Sequence, residues 1–186
     1  MTEIYQGVRF KTEFIRHEIP QNKKIEELKY WCKRFSKLGL APKVGEGSAG
    51  NLSFRISNGF IITTSNSDLD NMSDNNFTEV IDVDLKNKII KVAGKKIPSS
   101  ESMLHYVIYK NRPDINAIFH GHSQELLNSN IISTEQEKSY GTKGLVEEVL
   151  KVLDDNKVII IKNHGFLSLG NTMNQAGNNI IKMIDQ

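Results

Sequence analysis

The stretch INAIFHGH, residues 115–122, decides how this chain is read. Side chains alternate between the two faces of a strand, so residues two apart share a face. Ile115, Ala117 and Phe119 are then expected on one face, toward a core, with His120 and His122 together on the other. Gly121 between them leaves the backbone uncrowded. Two imidazoles side by side on a strand are a two-point chelate for a borderline metal such as Zn²⁺. An isolated His-x-His equally describes a chance surface pair. His164 shifts that balance, because it follows the apolar run Val158–Ile161 in Asn163-His164-Gly165, at the end of a strand apolar enough to be central. Catalytic zinc takes three protein ligands and keeps a position open. The other two of the five histidines, His17 and His105, read as a solvated loop residue and a helix residue.

Outward from this centre, Ile25, Leu28, Cys32 and Phe35 recur at helical spacing between Lys23 and Leu38, and Gly39 ends that helix. The Gly- and Ser-rich loop 45–51 runs into a strand over 52–56, followed by another over 59–63. Asn58-Gly59 is the hairpin signal between them. Residues 79–84 and 88–92 read as a second strand pair. A helix from Pro98-Ser99-Ser100-Glu101 to about Asn111 follows, then the strand 115–122, a helix near 143–154 and the strand Val158–Ile161. A final short helix begins near Met173, and residues 5–15 read as an extended arm or edge strand bounded by Pro20. Antiparallel strands flanked by helices predict a central sheet covered on its faces.

Three turns add anion-binding character. A helix start at Ser99-Ser100-Glu101 offers free N–H groups, two hydroxyls and a carboxylate that can ligate a metal or move a proton. The same residues also describe plain helix capping. Gly47-Ser48-Ala49-Gly50-Asn51 is either a phosphate-cradling nest or a flexible turn. Thr63-Thr64-Ser65-Asn66 is a third hydroxyl-rich turn.

Composition bounds the rest. The 186 residues suffice for one domain, here read as 1–186 with an N-terminal arm at 1–20. The chain is 38% hydrophobic and 25% charged, with a mean hydropathy of −0.39. No apolar run approaches the roughly 18 residues of a membrane span, and the first residues hold no signal-peptide core. Cys32 is the only cysteine, so no internal disulfide forms and a reducing, cytoplasmic setting is expected. A net charge of +2 with dispersed lysines speaks against nucleic acid.

The chain resembles the class II aldolase/adducin family over roughly residues 24 to 175. PSSESMLHYVIYKNRPDINAIFHGH carries a serine pair, the glutamate, Arg112-Pro113-Asp114 and the His-x-His in family order. GSAGNLSFR resembles the family's glycine-asparagine loop, and NHGFLSLG its third-histidine motif. The resemblance implies a three-layer α/β/α fold with a central, mainly antiparallel sheet, assembled as a homotetramer with active sites between subunits. It implies one Zn²⁺ per chain, or another divalent metal, on His120, His122 and His164. Glu101 would stand beside the metal as ligand and acid/base, and Ser48, Gly50, Asn51, Ser99 and Ser100 would bind phosphate. The implied activity is retro-aldol cleavage of a small ketose phosphate, with 4-epimerisation or dehydration as alternatives on the same residues. A non-catalytic adducin-like module is a further alternative, but such members lose the metal histidines, which this chain keeps. Asn66 stands where the aldolases carry glycine. The stretch from His122 to His164 is shorter than in fuculose-phosphate aldolase and omits the segment bearing its catalytic tyrosine, a role not carried onto nearby Tyr140. The chain stops soon after its last helix begins, so the family's C-terminal tail has no expected counterpart.

Overall fold

The computed structural model describes residues 7–127 and 129–184. Eight strands form one sheet in the order β1-β7-β6-β5-β4-β8-β10-β9: β1 Lys11–Arg16, β4 Gly50–Ile56, β5 Gly59–Thr63, β6 Phe77–Asp84, β7 Ile89–Gly94, β8 Ala117–Gly121, β9 Val158–Ile161 and β10 Gly165–Gly170. The short strands β2 Lys43–Val44 and β3 Gly47–Ser48 pair separately. Every neighbour pairing in the large sheet is antiparallel except β1 with β7. The stretch read as an arm therefore contributes an edge strand over 11–16, while positions 5 and 6 of that reading lie outside the described residues.

Helices cover both faces, giving the three layers expected. On one face lie α1 Ile25–Lys37 and α5 Met173–Ile184, with the short α3 Gln124–Leu127; on the other lie α2 Ser102–Asn111 and α4 Lys143–Leu153. Helix α1 buries Ile25, Leu28, Trp31, Cys32 and Phe35 along one stripe. Glu26 and Glu27 in its first turn and Arg34 and Lys37 in its last complement the helix dipole. Thr142 caps α4 by accepting the Leu145 N–H. No helix among the described residues is long and apolar enough to cross a membrane.

Two expectations change. Ile115 does not share a face with Ala117 and Phe119: it packs with Ile118 under α2 and α4, while the other two pack under α1 and α5. Alternation holds only inside a ladder, and β8 begins at Ala117. GFLSLG, residues 165–170, forms β10 between β8 and β9, a strand absent from the sequence reading. Arg112-Pro113-Asp114 proves to be a clasp. Arg112 forms a two-pronged ion pair with Asp114 at 2.8 Å on each prong and donates to the Asp154 carbonyl just beyond α4. Arg55 completes the corner by donating to the carbonyls of Tyr109, Arg112 and Ile115.

The α1–α5 contact generates a prediction. A Cβ on Gly177 would stand 2.0 Å from the Trp31 ring, and Trp31 is itself packed against Phe119. Gly177→Ala should destabilise the protein by about 1–3 kcal/mol, the usual cost of overpacking a filled core, as read from urea unfolding midpoints.

Candidate metal centre and active-site cavity

In an antiparallel sheet the start of one strand lies beside the end of its neighbour. Asn51 at the start of β4 pairs with His120 at the end of β8, and Gly165 opens β10 beside them. The β9–β10 loop, Lys162-Asn163-His164, swings His164 to the same sheet end. Asn163 holds the left-handed φ of 58° that Asn tolerates. Strand β8 stops at Gly121, so His122 lies just past the ladder, tied by its N–H to the Leu40 carbonyl. A Cβ on Gly121 would sit 2.3 Å from that carbonyl oxygen. One on Gly165 would sit 2.4 Å from the Gly121 oxygen and 3.0 Å from both His120 and His122. The imidazoles can converge because these two positions carry no side chain.

The ligand nitrogens of His120, His122 and His164 all lie within 4.8 Å of one another. His120 Nδ1 faces the Phe166 carbonyl at 2.8 Å; a carbonyl only accepts, so Nδ1 carries the proton and Nε2 presents its lone pair. That Nε2 lies 3.1 Å from His122 Nε2 and 3.0 Å from Glu101 Oε2, while Glu101 Oε1 lies 3.3 Å from His164 Nε2. Lone pairs and a carboxylate facing one another at such distances call for a cation. Imidazole nitrogens sharing a tetrahedral ion at about 2.0–2.1 Å would stand roughly 3.3 Å apart. The cluster therefore fits a divalent metal.

Glu101 is 3% exposed. Burial alone would raise its pKa, but His120, His164 and the Asn51 amide hold the carboxyl well below the usual carboxylate range. Burial pushes the His120 imidazole down, and takes His122 down to about 3, with the neighbouring histidines adding to the depression. Glu101 precedes the helix as its N-cap residue and forms no side-chain cap. The Glu101 side chain thus turns toward the histidines, not toward the N–H groups of its own helix.

Ser48, Gly50, Asn51, Ser99, Ser100, Glu101 and the three histidines line one cavity of about 1000 Å³. Ser48 Oγ accepts the Leu69 N–H at 3.0 Å and Ser99 Oγ the Glu101 N–H at 3.4 Å, which leaves both hydroxyl protons for the cavity. One amide proton of Asn51 goes to Glu101 Oε2 at 2.9 Å, and the other remains. Asn66, with φ of 57°, reaches the same wall, as do Ser65 and Tyr140. The left-handed backbone explains why this position suits glycine or asparagine. Sequence reasoning missed Pro42, Val44, Ser123, Gln124 and Leu127, which line the cavity from β2, α3 and the adjoining loops without motif character. It also missed the burial of His105, for which the spacing from Glu101, one helical turn on, was an available signal. His17 is exposed, as expected.

A three-layer fold around a mainly antiparallel sheet, with three histidines and a buried glutamate at one sheet end, defines a metalloprotein-type site. The sequence model of the Class II Aldolase and Adducin N-terminal domain matches residues 26–134. The L-fuculose phosphate aldolase of Methanocaldococcus jannaschii is 34% identical over 148 residues, covering 70% of this chain and 77% of the relative. The 5-methylthioribulose-1-phosphate/5-deoxyribulose-1-phosphate aldolase of Escherichia coli is 27% identical over 176 residues, covering 83% and 76%. A solved structure of L-fuculose 1-phosphate aldolase superposes with a TM-score of 0.74 at 23% identity, covering 89% of this chain and 83% of that one. The chain belongs to the class II aldolase and adducin family, as a metal-dependent aldolase-type lyase.

The electrostatics predict how metal enters. At pH 6 three free imidazoles with pKa about 6.5 would together release about two protons on binding an ion. Because burial lowers the proton affinity of His120 and His122 in the folded protein, uptake should release fewer than about two. A zinc titration in weakly buffered solution, saturating at about one ion per chain, checks both numbers. The folded-state depression also means that the unfolded chain binds more protons as pH falls from about 6.5 toward 3, so the metal-free protein should lose stability across that window.

Proposed function

We propose that the chain is a zinc-dependent lyase that cleaves a small ketose phosphate in retro-aldol fashion. The observation that carries this reading is the placement of Glu101 against two imidazoles at one wall of a cavity whose other wall is hydroxyl-lined. His120, His122 and His164 hold the metal. Glu101 would stand beside that metal, close enough to serve as a further ligand. Bound zinc supplies Lewis-acid stabilisation of negative charge on the ketose oxygens.

The chain's own residues do the remainder. The hydroxyls of Ser48, Ser99 and Ser100, with the amides at Gly50 and Asn51, hold the phosphate and so fix which carbon faces Glu101. No lysine or arginine lines this cavity among the described residues, so the phosphate is bound by neutral donors. In cleavage the carbon–carbon bond breaks, its electron pair stays on the ketose fragment, and the hydroxyl proton of the departing aldehyde passes to the Glu101 carboxylate. Glu101, protonated, delivers a proton to the fragment's carbon, and in the reverse direction its carboxylate removes one. A 4-epimerase or dehydratase would need the same proton movement, so the product decides between these reactions.

The cavity of about 1000 Å³ is far roomier than a sugar phosphate requires, which supports a homotetramer in which a second copy narrows it. Light scattering should give four times 21.1 kDa; a monomer at micromolar concentration would contradict that assembly. Elemental analysis of protein purified without chelator should find zinc.

Glu101→Gln keeps shape and hydrogen bonding but cannot exchange a proton. We expect the variant to stay folded while deuterium exchange into dihydroxyacetone phosphate slows by about 10²–10⁴-fold. Equal exchange rates in wild type and variant would remove Glu101 from this role. Product analysis on a panel of ketose 1- and 5-phosphates assigns the reaction.

A further inference from the structure

Behind the metal cluster runs a buried polar seam that the chemistry above does not use. Helix α2, with its N-cap, presents Glu101, His105 and Tyr109 four residues apart on one face. Strand β4 presents Asn51, Ser53 and Arg55 two residues apart on the opposing face, while Leu52 and Phe54 pack under α1 and α5. The two rows meet rung by rung. Asn51 Nδ2 donates to Glu101 Oε2 at 2.9 Å, Ser53 Oγ meets His105 Nδ1 at 2.8 Å, and Tyr109 Oη meets Ser53 Oγ at 2.8 Å. Arg55 donates to the Tyr109 carbonyl at 2.8 Å and lies over its ring at 4.7 Å.

The spacing has a geometric basis. Four helical residues rise about 6 Å and two strand residues about 6.7 Å, so parallel rows on a helix and a strand stay in step over one repeat. By the next repeat they drift, and Tyr109, whose side chain leans toward the helix N-terminus, reaches back to share Ser53. The other faces of α2 are apolar, packed with Val107, Ile108 and the α4 side chains. Apolar surfaces tolerate small slides, whereas hydrogen bonds between buried partners specify one register.

The seam contains an unmet polar group at His105. His105 is fully buried beside the Phe60 ring, and its Nε2 has no hydrogen-bond partner among the described residues. A buried unpaired nitrogen costs stability, and apolar replacements of similar shape for His105, Ser53 and the Tyr109 hydroxyl would not.

We propose that His105 and Ser53 are positioning residues, which lock α2 onto β4 so that the Glu101 carboxylate stands against His120 and His164. The catalytic consequence rests on the lyase reading above; the geometric one does not.

The test replaces both partners at once, His105→Leu with Ser53→Ala, in a Tyr109→Phe background that removes the third hydroxyl of the seam, and uses His105→Asn as the conservative control that can restore a hydrogen bond to Ser53. In crystals of the metal-free protein, the triple variant should move the Glu101 carboxylate by about 1 Å or more from its 3.0 Å contact with His120, with the melting temperature held or raised. Deuterium exchange into dihydroxyacetone phosphate should fall about 10–100-fold at saturating substrate, as for a misplaced reacting group, with KM changed less than about twofold. His105→Asn should recover most of that loss. A carboxylate that stays in place overturns the proposal, whatever the rate does. So does a collapse in melting temperature that His105→Asn does not reverse, which would make the seam purely structural. If wild type exchanges no ketose phosphate, the lyase reading fails and the crystallographic position alone decides the inference.

Discussion

A carboxylate with almost no solvent contact has to be paired, and the burial of Glu101 is the constraint on which this structure turns. Ion desolvation is expensive, and an acid in an apolar setting would keep its proton. Here the Asn51 amide and the imidazoles of His120 and His164 surround it, so the carboxylate is retained as an anion. Burial in the same corner lowers the proton affinity of His120 and His122. Three imidazoles beside an anion form a donor set complete but for its cation, which ties the geometry of this corner to a metal.

That arrangement needs three strands and a helix to end at one place. The central order β4-β8-β10 brings the start of β4, the end of β8 and the start of β10 together. The absent side chains at Gly121 and Gly165 let the strands and rings approach. The cores on the two sheet faces then fix the helices: α1 and α5 on one, α2 and α4 on the other. Arg55 and Arg112 hold the far ends of α2 and α4 through backbone carbonyls, away from the cavity. Strand β8 thus carries His120 and the start of α2 carries Glu101, while His122 and His164 sit on the loops that leave β8 and β9.

Where the sequence was legible, a short-range periodicity was responsible. His120 and His122 were read from the period of two, α1 from its apolar stripe, and the first hairpin from Asn58-Gly59, whose strands pair across Ser57 and Asn58. Where it was not, the deciding contact was distant. GFLSLG is flanked by glycines and alternates weakly, so its place between β8 and β9 follows from pairing with partners elsewhere in the chain. Ile115 was misplaced because alternation was carried past the ladder's first residue. Ser-Ser-Glu admitted two meanings because a glutamate at a helix start looks the same whether it turns toward the helix N–H groups or toward a histidine some twenty positions on.

By itself, then, the sequence determined the ligand types, their order along the chain and the elements that bear them, since each is written in local spacing. The tertiary structure alone decided that His164 meets the His-x-His pair, that Glu101 turns inward, and that His105 is buried behind it. Those outcomes depend on strand order and on the register of α2 against β4, which are set by burial and hydrogen bonding between segments remote in the chain.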